Sequence, residues 1–272
     1  MGGVTAALGL TAARLTERDR ELLVRLDEHE PLSTSELRLL FFSGESRCRR
    51  RLRALRAEEL LVRVFPARAE RGGSEEALWF LSAEGRRLLG APARRGPGLS
   101  LPDLEHRRAV ARFFCGLVER SIGRKDEGLW SWRGERSCER GLRGAGRPDG
   151  YGRYLLPHGE ITFYLELDRG TETRARLRAK LDAYLKALAA NPDARLGNVL
   201  LLAPSRRRLR GLAEPTLQGP PWIWASTDGE HYALLPGGEE RVFGELPAWP
   251  RDPARRVEDC LGRRWRREGD RT

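Results

Sequence analysis

The run Ile161-Thr162-Phe163-Tyr164-Leu165-Glu166-Leu167-Asp168 constrains this chain more than any other stretch of it. Its apolar positions recur every second residue. Side chains of a β-strand alternate between faces with that same period, so the run reads as a strand and not as a helix. Ile161, Phe163, Leu165 and Leu167 share one face, the natural core face. Thr162, Tyr164, Glu166 and Asp168 share the other, so two carboxylates leave the strand on one side. Just upstream, Arg147-Pro148-Asp149-Gly150-Tyr151 leads a strand through Leu156, and His158-Gly159-Glu160 supplies a turn. The resulting hairpin brings Asp149 toward Glu166 and Asp168. Carboxylates gathered in this way repel one another unless a cation neutralises them or a proton is shared. Oxygen donors of this kind suit Mg²⁺ or Mn²⁺.

The surroundings of the hairpin read as alternating helix and strand. A helix capped by Asp103 runs to about Ser121, and Leu129-Trp130-Ser131-Trp132 starts a strand. After Gly170-Thr171-Glu172 a long helix runs to about Ala189, with Leu177, Leu181, Tyr184, Leu185 and Leu188 as its apolar stripe and Lys180 near its middle. Asn198-Val199-Leu200-Leu201-Leu202-Ala203 is a short apolar run of the kind found in a buried parallel strand. Arg206, Arg207, Arg208 and Arg210 follow at its C-terminal end, where open α/β sheets place their ligand sites.

The first ninety residues read differently, as helix, helix, helix, hairpin and helix. Thr16 with Asp19 forms a capping signal for a helix whose apolar face is Leu22, Leu23 and Leu26, and Pro31 stops it. Ser33 or Thr34 caps a second helix carrying Leu37, Leu40 and Phe41. Ser43 is the capping candidate for a third, from about Glu45 to Glu58. On that third helix Cys48, Leu52 and Leu55 form one narrow apolar stripe, surrounded by Arg47, Arg49, Arg50, Arg51, Arg53 and Arg56. A helix that packs by one edge and displays arginine elsewhere suits the DNA major groove. Leu60 to Phe65 and Leu78 to Leu81 form a hairpin whose tip carries Arg68 and Arg71, and Ser82 starts a last helix through Leu88. This is the order of a winged helix-turn-helix.

Between these regions, Ala91-Pro92-Ala93-Arg94-Arg95-Gly96-Pro97-Gly98 breaks both helix and strand. The 272 residues therefore divide into a winged helix-turn-helix over 14–91, a linker over 92–102, an α/β domain over 103–212 and a Pro/Arg-rich extension over 213–272. The extension carries short strands near Trp222 and Tyr232. The expected class is α+β or α/β with a mixed sheet.

Charge supports a polyanionic partner but does not establish one. Lys and Arg number 50 against 39 Asp and Glu, a net charge of +11, and all but three of the cations are arginine. Coding bias toward arginine produces the same count, so placement has to decide. Cys48, Cys115, Cys138 and Cys260 lie far apart with no C-x-x-C pair, which speaks against structural zinc and for reduced thiols in a cytoplasmic protein. No apolar run is long enough to span a membrane. Residues 1–13 read as a loose leader.

The order helix–strand–strand–strand–helix–strand, with Pro148-Asp149 before one strand and Glu166 on the next, resembles the PD-(D/E)XK restriction-endonuclease-like core. The whole chain looks like the bacterial replication-relaxation family over about residues 14–212. The matching features are Leu15-Thr16-Glu17-Arg18-Asp19, the arginine-rich third helix, Arg147 to Gly152, and Phe163 through Glu172 with Lys180, Leu181 and Tyr184 after it. The resemblance implies a setting of plasmid or mobile-element replication and DNA relaxation, with double-stranded DNA and plasmid replication or mobilisation proteins as partners. It also implies Asp149 and Glu166 as Mg²⁺ or Mn²⁺ ligands, with Glu135 as a further acid. The lysine expected two residues after the second acid is Asp168 here, and a carboxylate cannot supply that positive charge. Lys180, on the following helix, is the candidate replacement.

Three functions are compatible with these residues. One is a DNA-binding replication or relaxation factor with a degenerate nuclease-like domain. Another is a Mg²⁺-dependent endonuclease or nickase using Asp149 and Glu166, assisted by Asp168 and Lys180. The third is a winged-helix regulator or adaptor. DNA contacts are expected at Arg47, Arg49, Arg50, Arg51, Arg53, Arg56, Arg68, Arg71, Arg206, Arg207 and Arg208.

Overall fold

Reciprocal capping boxes start the first two helices. Thr16 accepts from the backbone N–H of Asp19 while the Asp19 carboxylate accepts from the N–H of Thr16, and Ser33 and Glu36 repeat the arrangement. Each box satisfies donors that a helix start leaves without intrahelical partners. The computed structural model describes residues 14–66, 76–92, 98–141, 147–189, 198–205, 207–208, 222–226, 232–234 and 240–242. The leader, Arg68, Arg71, Arg206 and most of the C-terminal extension lie outside these residues.

Contacts separate the described residues into two units, one ending at Cys115 and one beginning at Gly116. The first unit contains α1 (Glu17–His29), β1 (Leu32–Ser33), α2 (Thr34–Phe41), α3 (Glu45–Ala57), β2 (Leu61–Val64), β3 (Leu78–Leu81) and α4 (Ala83–Leu88). A three-stranded antiparallel sheet in the order β1-β3-β2 joins them. The hairpin is as expected from sequence. The third strand, β1, is only two residues long, too short to carry a periodic signal. Leu22, Leu23, Leu26, Leu37, Leu52, Leu55 and Leu60 are fully buried and form the core. A buried ion pair closes it: Arg86 binds the Glu30 carboxylate, and Glu30 Oε2 also accepts from Leu81 N at 3.1 Å. One cap differs from expectation. Gly44, not Ser43, precedes α3, and it makes no side-chain capping bond.

The long helix α5 (Leu101–Ser121) begins before Asp103, which lies in its first turn. Ser100 Oγ accepts from Asp103 N at 3.3 Å and takes the capping role expected of Asp103. There follow β4 (Gly128–Gly134), α6 (Glu135–Gly141), β5 (Gly150–Leu156), β6 (Gly159–Leu167), α7 (Arg174–Ala189), β7 (Asn198–Ala203), β8 (Trp222–Ser226), β9 (Tyr232–Leu234) and β10 (Glu240–Val242). These seven strands make one mixed sheet in the order β10-β9-β8-β7-β6-β5-β4. The β4-β5-β6 portion is an antiparallel meander, β6-β7-β8 is parallel, and β9 and β10 return antiparallel. The two short runs read from the extension therefore pair in this sheet, β8 beside β7 and β9 beside β8.

Strand β6 has β5 on one side and β7 on the other, and every residue from Ile161 to Leu167 is buried. The face that carries Thr162, Tyr164 and Glu166 is therefore covered as well as the core face. Two local fits make this possible. On one face the Phe163 ring lies over Gly152, its cross-strand partner, where an added Cβ would come within 2.3 Å of Phe163 Cζ. On the other face Tyr164 packs on Tyr151 with ring centroids 5.1 Å apart.

Candidate functional site

The acidic site is built where β5 and β6 end together. Gly150 pairs with Leu165 across the ladder, so one further step sets Asp149 opposite Glu166 on the same face. Two backbone-directed bonds fix Asp149. Its N–H donates to Leu165 O at 2.9 Å, and its Oδ2 accepts from Leu167 N at 2.8 Å. Glu166 is buried at 2% exposure. One of its oxygens accepts from Lys180 Nζ and the other from Tyr184 Oη at 2.9 Å. Lys180 and Tyr184 are four residues apart on α7, so they occupy one helix face and straddle the carboxylate.

Burial and the nearby charge of Asp149 push the Glu166 carboxyl up to about 7, although Lys180 and Tyr184 act in the opposite direction. Burial lowers the Lys180 ammonium, but Glu166 and Asp149 together more than offset this and leave it above its usual value. The outcome is a cluster of two carboxyl groups, one ammonium and one phenol, with Glu166 and Tyr184 buried and Asp149 and Lys180 half-buried. Tyr184 was legible as part of an apolar stripe, and its spacing from Lys180 is the signal for its polar role.

Asp168 does not join this cluster. Its carboxylate, at 2% exposure, accepts from Arg208 Nε at 2.7 Å and from Gly170 N at 2.8 Å. Arg208 also donates to Glu172 O at 2.6 Å. An expected catalytic acid and an expected DNA-binding arginine thus satisfy each other, and they tie the end of β6 to the segment after β7. Alternation had placed Asp168 on the Glu166 face. The strand ends at Leu167, however, and beyond it the period-two rule no longer applies. Glu135 opens α6, where it forms an exposed pair with Arg147 at 3.6 Å. Among the described residues, no three His, Cys, Asp or Glu side chains gather closely enough to hold a metal ion.

A second candidate surface lies on α3. Cys48, Leu52 and Leu55 are fully buried there, as the stripe required. Arg47, Arg49, Arg50, Arg53 and Arg56 are exposed, while Arg51 is only partly so. Arg49 meets Glu45 one turn away at 2.5 Å, with both side chains exposed. Arg51 turns inward. Its Nε and a terminal nitrogen each lie 2.8 Å from an oxygen of Asp19, a carboxylate with no solvent exposure. Burial alone would raise the Asp19 carboxyl, but bonds from Arg51 and Thr16 outweigh it and hold the group below its usual value. Arg207 is exposed.

The family model described as replication-relaxation matches residues 23–200. This chain belongs to the replication-relaxation family. The matched region takes in α3, Asp149, Glu166, Lys180 and Tyr184, and it stops before Arg208. The resemblance read from Phe163 to Glu172 and from α3 therefore identified the family correctly. No curated protein and no solved structure matches this replication-relaxation chain. Among the described residues, no helix is long and apolar enough to cross a membrane.

Proposed function

We propose that this replication-relaxation protein binds duplex DNA through α3 and acts in the replication or relaxation of plasmid or other mobile DNA. The observation that carries the reading is the segregation on α3: its apolar stripe is fully buried while five arginines face solvent. A helix of 13 residues is about 20 Å long. Guanidinium groups along that length can reach phosphates and guanine edges when the helix lies in a major groove. The helix–helix–helix–hairpin–helix order, closed by β1 into a three-stranded sheet, supports a winged helix-turn-helix. Exposed Arg207 is a further candidate contact.

The test is a mobility-shift titration of supercoiled and linear plasmid across a range of salt. Counterion release predicts that log affinity falls linearly with log salt, by about 0.9 per phosphate contacted. Weak binding that ignores salt would refute the reading. A single tight site near the chain's own gene, with little affinity elsewhere, would favour a regulator instead.

The convergence of Asp149, Glu166 and Lys180 favours a second reading, a Mg²⁺-dependent endonuclease or nickase. The order α5-β4-α6-β5-β6-α7-β7, the expected order with the short α6 added between β4 and β5, supports the restriction-endonuclease-like core this reading needs. Mg²⁺ is commonly held by one or two carboxylates with substrate phosphates completing its shell. Asp149 and Glu166 fit that two-carboxylate role, although Glu166 would have to share oxygens now bound to Lys180 and Tyr184. When bound there, the ion supplies positive charge for activating water and for neutralising phosphoryl oxygens. In this chain Lys180 and Tyr184 orient Glu166, and burial excludes bulk water from it. The same plasmid assay with Mg²⁺ or Mn²⁺, read for topology, decides the matter. Relaxed or linear product that disappears in Asp149→Ala and Glu166→Ala supports cleavage, and unchanged topology with intact binding leaves the DNA-binding role alone.

A further inference from the structure

We propose that Arg51 is a positioning residue for DNA binding and not a DNA contact: clamped on buried Asp19, it fixes the rotation of α3 and thereby aims the exposed arginines. This deepens the duplex-binding reading above and rests on it.

The argument starts from what else holds α3 in place. Its buried stripe consists of Cys48, Leu52 and Leu55, three side chains of modest size. Apolar packing is non-directional, so a narrow stripe resists separation better than it resists rotation about the helix axis. A planar guanidinium paired through two parallel hydrogen bonds is directional. Arg51 follows Cys48 by three residues and precedes Leu55 by four, which puts it at the margin of the stripe, where a fixed bond limits rotation most.

The anchor is itself fixed. Asp19 has no solvent exposure and its carboxylate also accepts from the N–H and hydroxyl of Thr16, at 2.8 Å and 2.5 Å, in the capping box that starts α1. The first turn of α1 and the middle of α3 are thus joined through one carboxylate. Arg50 and Arg53, either side of the clamped residue, are exposed. Their directions follow from where Arg51 is held.

The test uses the full chain, a plasmid-derived duplex and four variants: Arg51→Met, Arg51→Lys, Asp19→Asn and Arg50→Met. Thermal melts confirm that each is folded, and affinity is measured across a salt series. A phosphate-contacting arginine contributes about one unit to the salt slope, and removing it lowers the slope by about that much. Lysine replaces such a contact well as a point charge but cannot reproduce the two-bond fork.

Under the proposal, Arg51→Met and Arg51→Lys both bind about tenfold more weakly with the wild-type slope, while Arg50→Met loses slope. Asp19→Asn, which removes no cation, weakens binding comparably, and it keeps the test alive if an Arg51 variant does not fold. The proposal is overturned if Arg51→Met loses about one unit of slope and Arg51→Lys restores affinity, or if Asp19→Asn binds like wild type. A wild-type chain with no salt-sensitive binding would remove the duplex-binding reading itself, and that result is visible before any variant is made.

Discussion

Replacing Lys180 with methionine tests the acidic site through its charge balance. The change keeps most of the side-chain volume and removes the ammonium from Glu166. Glu166 then remains at 2% exposure, facing Asp149 with only the neutral hydroxyl of Tyr184 in its former ion-pair shell. Breaking a buried pair by deleting one partner costs about 3–5 kcal/mol. Lys180 is a third exposed, and solvent screening brings the expectation down to about 2–3 kcal/mol at pH 8. The penalty depends on pH. In the wild type the folded-state pKa of Glu166 is about 7, above its ordinary 4.5. A raised pKa means the folded state binds the proton more tightly. The associated stability, on the order of 3 kcal/mol, is complete below about 4.5 and is lost as pH rises through about 7. Without Lys180 the carboxyl rises further and the loss extends to higher pH. At pH 5 Glu166 is protonated in both proteins, so the substitution should cost little there and progressively more toward pH 8. Urea melts at pH 5, 6.5 and 8, followed by circular dichroism, provide the measurement. A penalty that is equal at all three values, or largest at pH 5, would refute this account of the site.

Three further outcomes are expected. Arg208→Met leaves the Asp168 carboxylate buried without its cation, and should destabilise the chain by about 3 kcal/mol in a urea melt. Gly152→Ala forces a methyl group against the Phe163 ring and should cost about 1–3 kcal/mol, with partial recovery in a Gly152→Ala/Phe163→Leu double variant. Ser33→Ala removes the reciprocal cap of α2 and should cost about 1 kcal/mol by thermal melt, whereas Ser43→Ala, beside a helix that Gly44 starts, should cost little.

The comparison of Ser33 with Ser43 shows how far local sequence reaches. A reciprocal pair such as Thr16 with Asp19, or Ser33 with Glu36, is satisfied within four residues, so the chain alone specifies it. A single serine before a helix has no such reciprocity, and the residue next to it took the cap position. Periodicity behaved in the same way. It located the buried stripe of α3, because spacing alone determines which side chains share a face, whereas the parallel strand β7 was legible from an unbroken apolar run. It failed at Asp168, one residue past the end of β6, and at β1, whose two residues hold no period.

By itself, then, the sequence determined the family, the order of the longer helices and strands, though not the short β1, α6 and β10, and the facing of Asp149 toward Glu166, since these depend on residue type, spacing and ladder register. Lys180 was a candidate cation for the acids on sequence grounds, but the tertiary structure decided which charges pair. Lys180 with Glu166, Arg208 with Asp168 and Arg51 with Asp19 lie 14, 40 and 32 residues apart in the chain. Each buried carboxylate requires a cation to offset its desolvation, and many arginines in this chain could have met that need equally well on sequence grounds. Which one does so is set by the elements that packing brings beside it.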